Sequence, residues 1–136
     1  MAVSLDDWIA VQDLLGRYCW YFDEGMGPEW ASLYTEDGIF EGTRPEPTVG
    51  HAALAQAPVG SAAHFKGRIR HQFGNVHFEE QTDPNRLVAK FYNQVSTWGM
   101  DNGNQLLMLA ICTAQLVREG AGAPWRIARN TIRVLK

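Results

Sequence analysis

Asp23 and His71 are the residues of this chain best suited to proton transfer. Asp23 closes the run Arg17-Tyr18-Cys19-Trp20-Tyr21-Phe22-Asp23-Glu24-Gly25, and His71 lies near the start of Arg70-His71-Gln72-Phe73-Gly74-Asn75-Val76-His77-Phe78-Glu79. A carboxylate that holds one imidazole nitrogen orients the ring and stabilises the imidazolium. The other nitrogen can then act as a base near neutral pH. A negative charge at the C-terminal end of a helix opposes the helix dipole, so an acid at position 23 calls for a partner.

On a strand, His71, Phe73, Asn75 and His77 share one face. Asn75 is therefore expected on the same cavity wall as His71, where it would either bind a substrate oxygen or hold backbone. His77 is read as structural or as a surface residue. The aromatic residues Tyr18, Tyr21, Phe22, Trp30, Tyr34, Phe40 and Trp98 are mostly core. Phe22, beside Asp23, could pack on a flat apolar ligand, and one of Tyr18 and Tyr21 could donate to a substrate carbonyl. The candidate ligand contacts are thus Tyr18, Tyr21, Phe22, Trp30, Phe40 and Asn75. Arg129 and Asn130 on the last strand could reach the cavity floor, but a solvated face is the stronger reading, and His51 and His64 are read as solvated or lid residues.

The elements that must position these groups follow from the pattern. Ser4, Asp6 and Asp7 form an N-terminal cap with an acidic first turn. Trp8, Ile9, Val11, Leu14, Leu15, Tyr18, Cys19 and Phe22 then recur at helical spacing to the stop at Gly25. A short helix is expected over 28–34, a turn at Thr35-Glu36-Asp37-Gly38 and a short strand over 39–42. Residues 50–66 read as a weaker helix interrupted by Pro58. Strands follow at 69–80, 86–99, 104–118 and 124–135, separated by Asp83-Pro84-Asn85, Asp101-Asn102-Gly103 and the Gly120 to Pro124 stretch. This is an α+β plan: N-terminal helices packed on a strongly curved mixed or antiparallel sheet that forms a cone-shaped barrel around a pocket.

The 136 residues make a single domain, 1–136, and an apolar share of 46% fills one core. Formal net charge is −3 with scattered basic residues, which argues against a nucleic-acid partner. Cys19 and Cys112 lack metal-ligand spacing and read as buried free thiols; neither a metal nor a phosphate loop is expected. No stretch suits a membrane span and the N-terminus lacks signal-peptide character, so the cytoplasm is the expected setting. The outer face of the sheet is expected to carry Val88, Phe91, Trp98 and Leu106, a patch that predicts a homodimer or homotrimer.

The run Leu5 to Tyr18, then Phe22-Asp23, Trp30 to Gly38 and the His71-x-x-x-Asn75 element resemble the SnoaL-like proteins of the nuclear-transport-factor-2-like (NTF2-like, cystatin-like) superfamily. The Asp–His pair is similar to that of the scytalone dehydratase and dehydrochlorinase branch. That resemblance implies an enzyme without cofactor, with Asp23 and His71 as the catalytic pair. The acidic set of the steroid isomerases and the Asp-Arg-Asp arrangement of the epoxide hydrolases of this fold are not found. Two functions are expected on this basis. One is a cofactor-independent dehydratase, isomerase or polyketide cyclase acting on a small, largely apolar, cyclic substrate. The other is a non-catalytic ligand-binding or assembly module, such as a ring-hydroxylating dioxygenase small subunit.

Overall fold

The computed structural model describes residues 2–136. Its first helix, α1 (Leu5–Asp23), starts where the Ser4 hydroxyl accepts the Asp7 N–H at 3.1 Å. Helix α2 (Gly27–Ser32) and strand β1 (Tyr34–Glu41) follow, then a two-residue strand β2 (Thr48–Val49) and helix α3 (His51–Phe65). The rest is a meander of β3 (Ile69–Phe78), β4 (Arg86–Met100), β5 (Gly103–Val117) and β6 (Arg126–Val134). The strands form one sheet in the order β2-β1-β6-β5-β4-β3. Only β1 and β6 run parallel; the other pairs are antiparallel. The fold is thus the expected α+β arrangement of helices on a mixed sheet. Among the described residues no helix is long and apolar enough to cross a membrane.

Val11, Leu14, Leu15, Tyr18 and Cys19 of α1 pack against the inward residues of the long strands, Leu87, Ala89 and Phe91 on β4 and Ala110, Cys112, Ala114 and Leu116 on β5. Three expectations need correction. Phe91 is core rather than outer face, because it shares parity with Leu87 and Ala89, whereas Val88 and Trp98 have the opposite parity. Trp8 and Ile9, placed in the buried stripe, are exposed: both lie within a turn of exposed Leu5, and Ile9 is on the flank of the helix away from Val11. The Thr35–Gly38 turn does not interrupt β1. It is absorbed as a register slip, with Tyr34 opposite Ile127 but Ile39 already opposite Arg129.

Helix α3 forms one wall of the main cavity through Gln56, Ala57, Gly60, Ser61 and Phe65. Its position depends on close contact with the start of α2, where a β-carbon on Gly27 would lie 2.1 Å from the Ala55 carbonyl oxygen. Gly27→Ala must therefore push α3 outward. Overpacking of this kind costs about 1–3 kcal/mol, and urea denaturation of the variant should show a loss in that range.

Candidate active site

Asp23 is the last residue of α1 and is 3% exposed. Its Oδ2 accepts the backbone N–H of His71 at 2.8 Å and its Oδ1 lies 2.6 Å from His71 Nδ1. The backbone contact has a topological cause. Strand β3 is an edge of the sheet, paired only with β4, and His71 sits opposite Val95. The α1 terminus covers that edge, and Asp23 takes a donor for which the sheet has no partner. One residue along each segment, Glu24 and Arg70 form an ion pair at 3.0 Å, and the Arg70 guanidinium lies over the Trp98 ring. Two neighbours at the helix end thus hold two neighbours at the strand start.

An ionised carboxylate only accepts hydrogen bonds, so Nδ1 of His71 carries the hydrogen. In the neutral ring the lone pair then lies on Nε2, across the ring from Asp23. The edge of Phe22 packs on the imidazole with centroids 4.9 Å apart, further restricting its rotation. His71 lines a cavity of about 480 Å³ that lies between α1, α3 and the sheet and opens to solvent. That volume suits a small organic ligand.

Tyr18, Phe22 and Phe40 also line this cavity. Trp30 does not reach it. It is fully buried behind the wall, with its ring against Tyr18, Phe22 and Phe40 at centroid distances of 5.4, 5.2 and 5.6 Å. Of the two tyrosines, Tyr18 is the one on the cavity side; Tyr21 is half-buried at the margin of the core. Burial pushes the Tyr18 phenol well above its ordinary pKa, so it stays protonated. Its oxygen accepts an N–H from Asn130 at 3.1 Å, and the Tyr34 hydroxyl lies within hydrogen-bonding reach of the same phenol. Asn130, read from sequence as a solvated residue, is 1% exposed and positions this hydroxyl from β6.

Asn75 is not on the cavity wall. The β3–β4 register slips between Gly74 and His77, and Asn75 is exposed with φ of 54°. Asparagine tolerates this left-handed conformation, so Gly74-Asn75 marks a bulge rather than a ligand contact. His77 is also exposed. The amide that does line the cavity is Asn93 on β4, 5% exposed and opposite Phe73. Its signal in the sequence was its parity with Leu87, Ala89 and Phe91. The other additions are Ser61 on α3 and Arg44, whose guanidinium donates to the Thr48 hydroxyl at 2.7 Å near the mouth. Burial pushes the Cys19 and Cys112 thiols up to about 12, so neither is a nucleophile at neutral pH. Among the described residues no three His, Cys, Asp or Glu side chains converge to hold a metal ion.

Comparison with known proteins places this geometry in context. Residues 3–131 match the SnoaL-like domain family. A protein of unknown function from Mycobacterium tuberculosis has the same fold, with a TM-score of 0.87 at 24% identity over 98% of this chain and 79% of that one. An NTF2-like protein with a cystatin-like fold from Novosphingobium aromaticivorans gives 0.84 at 19% identity, over 97% and 84% of the two chains. A provisionally named scytalone dehydratase from the same organism gives 0.82 at 15% identity, over 97% and 86%. At these identities the likeness is one of fold. No curated protein matches the chain.

The tautomer gives a test that needs no substrate. In Asp23→Asn the side-chain oxygen must still face the His71 backbone N–H, which turns the amide NH₂ toward Nδ1. Nitrogen NMR of labelled imidazole should report Nδ1–H in the wild type and Nε2–H in the variant. An unchanged tautomer would show that Asp23 does not set it.

Proposed function

The chain belongs to the SnoaL-like domain family, and on that premise we propose that it is a cofactor-independent lyase or isomerase in which His71 is the base. The substrate is a small, largely apolar cyclic compound with a carbonyl. The observation that carries this reading is the two-point contact of Asp23 with His71 on the wall of a cavity. A histidine held only for structure would need neither a fixed tautomer nor open space next to its free nitrogen.

The residues fit the following sequence. His71 Nε2 removes a proton from the carbon next to the substrate carbonyl. The C–H electron pair moves to form the enolate, whose oxygen gains charge. Tyr18 donates its hydrogen to that oxygen, while Asn130 holds the phenol from behind. The imidazolium is stabilised by Asp23. The enolate then either expels a leaving group from the adjacent carbon or is reprotonated elsewhere, giving elimination or isomerisation. Phe22 and Phe40 supply apolar contact for a ring. Outside the sheet, Trp98 and Leu106 are exposed, which supports the proposed homodimer or homotrimer.

The first step can be assayed without the natural substrate, as exchange of α-hydrogen for deuterium in a panel of cyclic ketones in D₂O. The wild type should accelerate exchange of at least one ketone. His71→Ala should reduce that rate by about 10²–10⁴-fold, and Tyr18→Phe by roughly 10²-fold, the loss typical of one oxyanion donor. Exchange no faster than in buffer, or exchange indifferent to His71, would remove the acid–base reading.

A further inference from the structure

Asn93 is a buried amide with one end satisfied and the other not. Its amide hydrogen-bonds the Cys112 thiol, and Asn93 and Cys112 are diagonal neighbours on β4 and β5, where Asn93 pairs with Ala110. Its Oδ1 has no partner, although the residue is 5% exposed and lines the cavity. A buried carbonyl oxygen left unmatched destabilises a protein. On the opposite wall the Ser61 hydroxyl is a second buried polar group without a partner. Two buried and unmatched polar atoms in a pocket wall are candidates to meet a ligand's own polar groups.

We propose that Asn93 is a specificity-determining residue, and that the ligand is a neutral cyclic compound carrying a hydroxyl that donates to Asn93 Oδ1. This rests on the cavity being the substrate site, and it deepens that reading by naming a second polar group on the substrate. A carbonyl oxygen only accepts, so its partner must bring a hydrogen; a ketone or an ether cannot satisfy it. The position follows from sheet register. His71 is opposite Val95 and Phe73 is opposite Asn93, so His71 and Asn93 are diagonal neighbours on adjacent strands. Such positions lie roughly 7–8 Å apart, so one small ligand can reach both side chains. An acceptor cannot help hydroxide to depart, because departure needs a proton delivered to the oxygen. The hydroxyl read by Asn93 is therefore retained through the reaction and serves recognition.

The test uses the full chain and Asn93→Leu, which keeps approximate volume and removes the acceptor. The probes are 2-naphthol and 2-methoxynaphthalene, which share a ring system and differ in whether the oxygen can donate. Binding is read from quenching of the intrinsic tryptophan fluorescence. The wild type should prefer 2-naphthol by about 3–10-fold, the span of one net hydrogen bond, and Asn93→Leu should bring the ratio near one. Without ligand, Asn93→Leu should melt about 3–6 °C higher, because a buried unmatched carbonyl has been removed. No preference in the wild type, a preference that survives in Asn93→Leu, or a lower melting temperature for the variant would each overturn the proposal. Binding of these probes involves no proton abstraction, so the result stands apart from the deuterium-exchange assay of His71.

Discussion

The two-point contact between Asp23 and His71 is the constraint on which the rest of the site depends. The backbone hydrogen bond fixes where the strand begins relative to the helix end, and the side-chain bond fixes the ring on that backbone. Either bond alone would leave a degree of freedom: a ring able to swing, or a strand able to slide. The partners are 48 residues apart in sequence, with α2 and α3 between them, so their contact closes a long loop of the chain. The acid sits at the unfavourable end of its helix dipole and in near-complete burial. Two donors aimed at one carboxylate offset both costs, which explains why this acid is tolerated there.

Aromatic packing supplies the stiffness that the hydrogen bonds need. Trp30 touches the rings of Tyr18, Phe22, Tyr34 and Phe40, and Phe22 in turn touches His71. Three of those rings form cavity wall while Trp30 itself does not. A contact of this edge-on type contributes roughly 0.5–1.5 kcal/mol beyond area burial, so the set orients the wall collectively rather than through any one pair. The short helix α2 exists to hold Trp30 at this point. Pro28 starts that helix at a position where the missing N–H costs nothing, and Gly27 lets it approach α3.

Much of this was legible in the amino-acid sequence, for reasons that can be named. Ser4 with Asp6 and Asp7 marks the start of α1, the apolar period carries it to Asp23, and three turn signals divide the four long strands. The hairpin at Asp101-Asn102 lies between paired Met100 and Gly103, as its dipeptide suggests. The Asp–His pair was legible chiefly because the resemblance to the SnoaL-like proteins added to the placing of an acid at a helix end and a histidine at a strand start. What failed was strand parity across irregularities. A strict two-residue period carried from His71 to Asn75 ignores the bulge that Gly74-Asn75 encodes. The same neglect of parity put Phe91 outside. Asn93 was passed over, and Asn130 was weighed toward solvent, because asparagine on a strand reads as polar surface; both are buried.

The distribution of buried polar groups separates what folds the chain from what the chain is folded for. Far from the cavity, polar burial is matched: Asp7 takes both the Arg118 guanidinium and the Trp125 indole N–H, tying the start of α1 to the β5–β6 end of the sheet. Around the cavity it is not. Ser61 Oγ and Asn93 Oδ1 stand unmatched in the wall, and Trp30 Nε1 and Asn130 Oδ1 stand unmatched just behind Tyr18. Each such group costs on the order of 1–3 kcal/mol, and apolar residues of similar size would have avoided it. A fold that satisfies its polar groups in one half and leaves them open in the other has placed its instability where a ligand can relieve it. The Asp23–His71 contact lies on the boundary between the two. It is fully matched on the Asp23 side, while His71 lines the cavity.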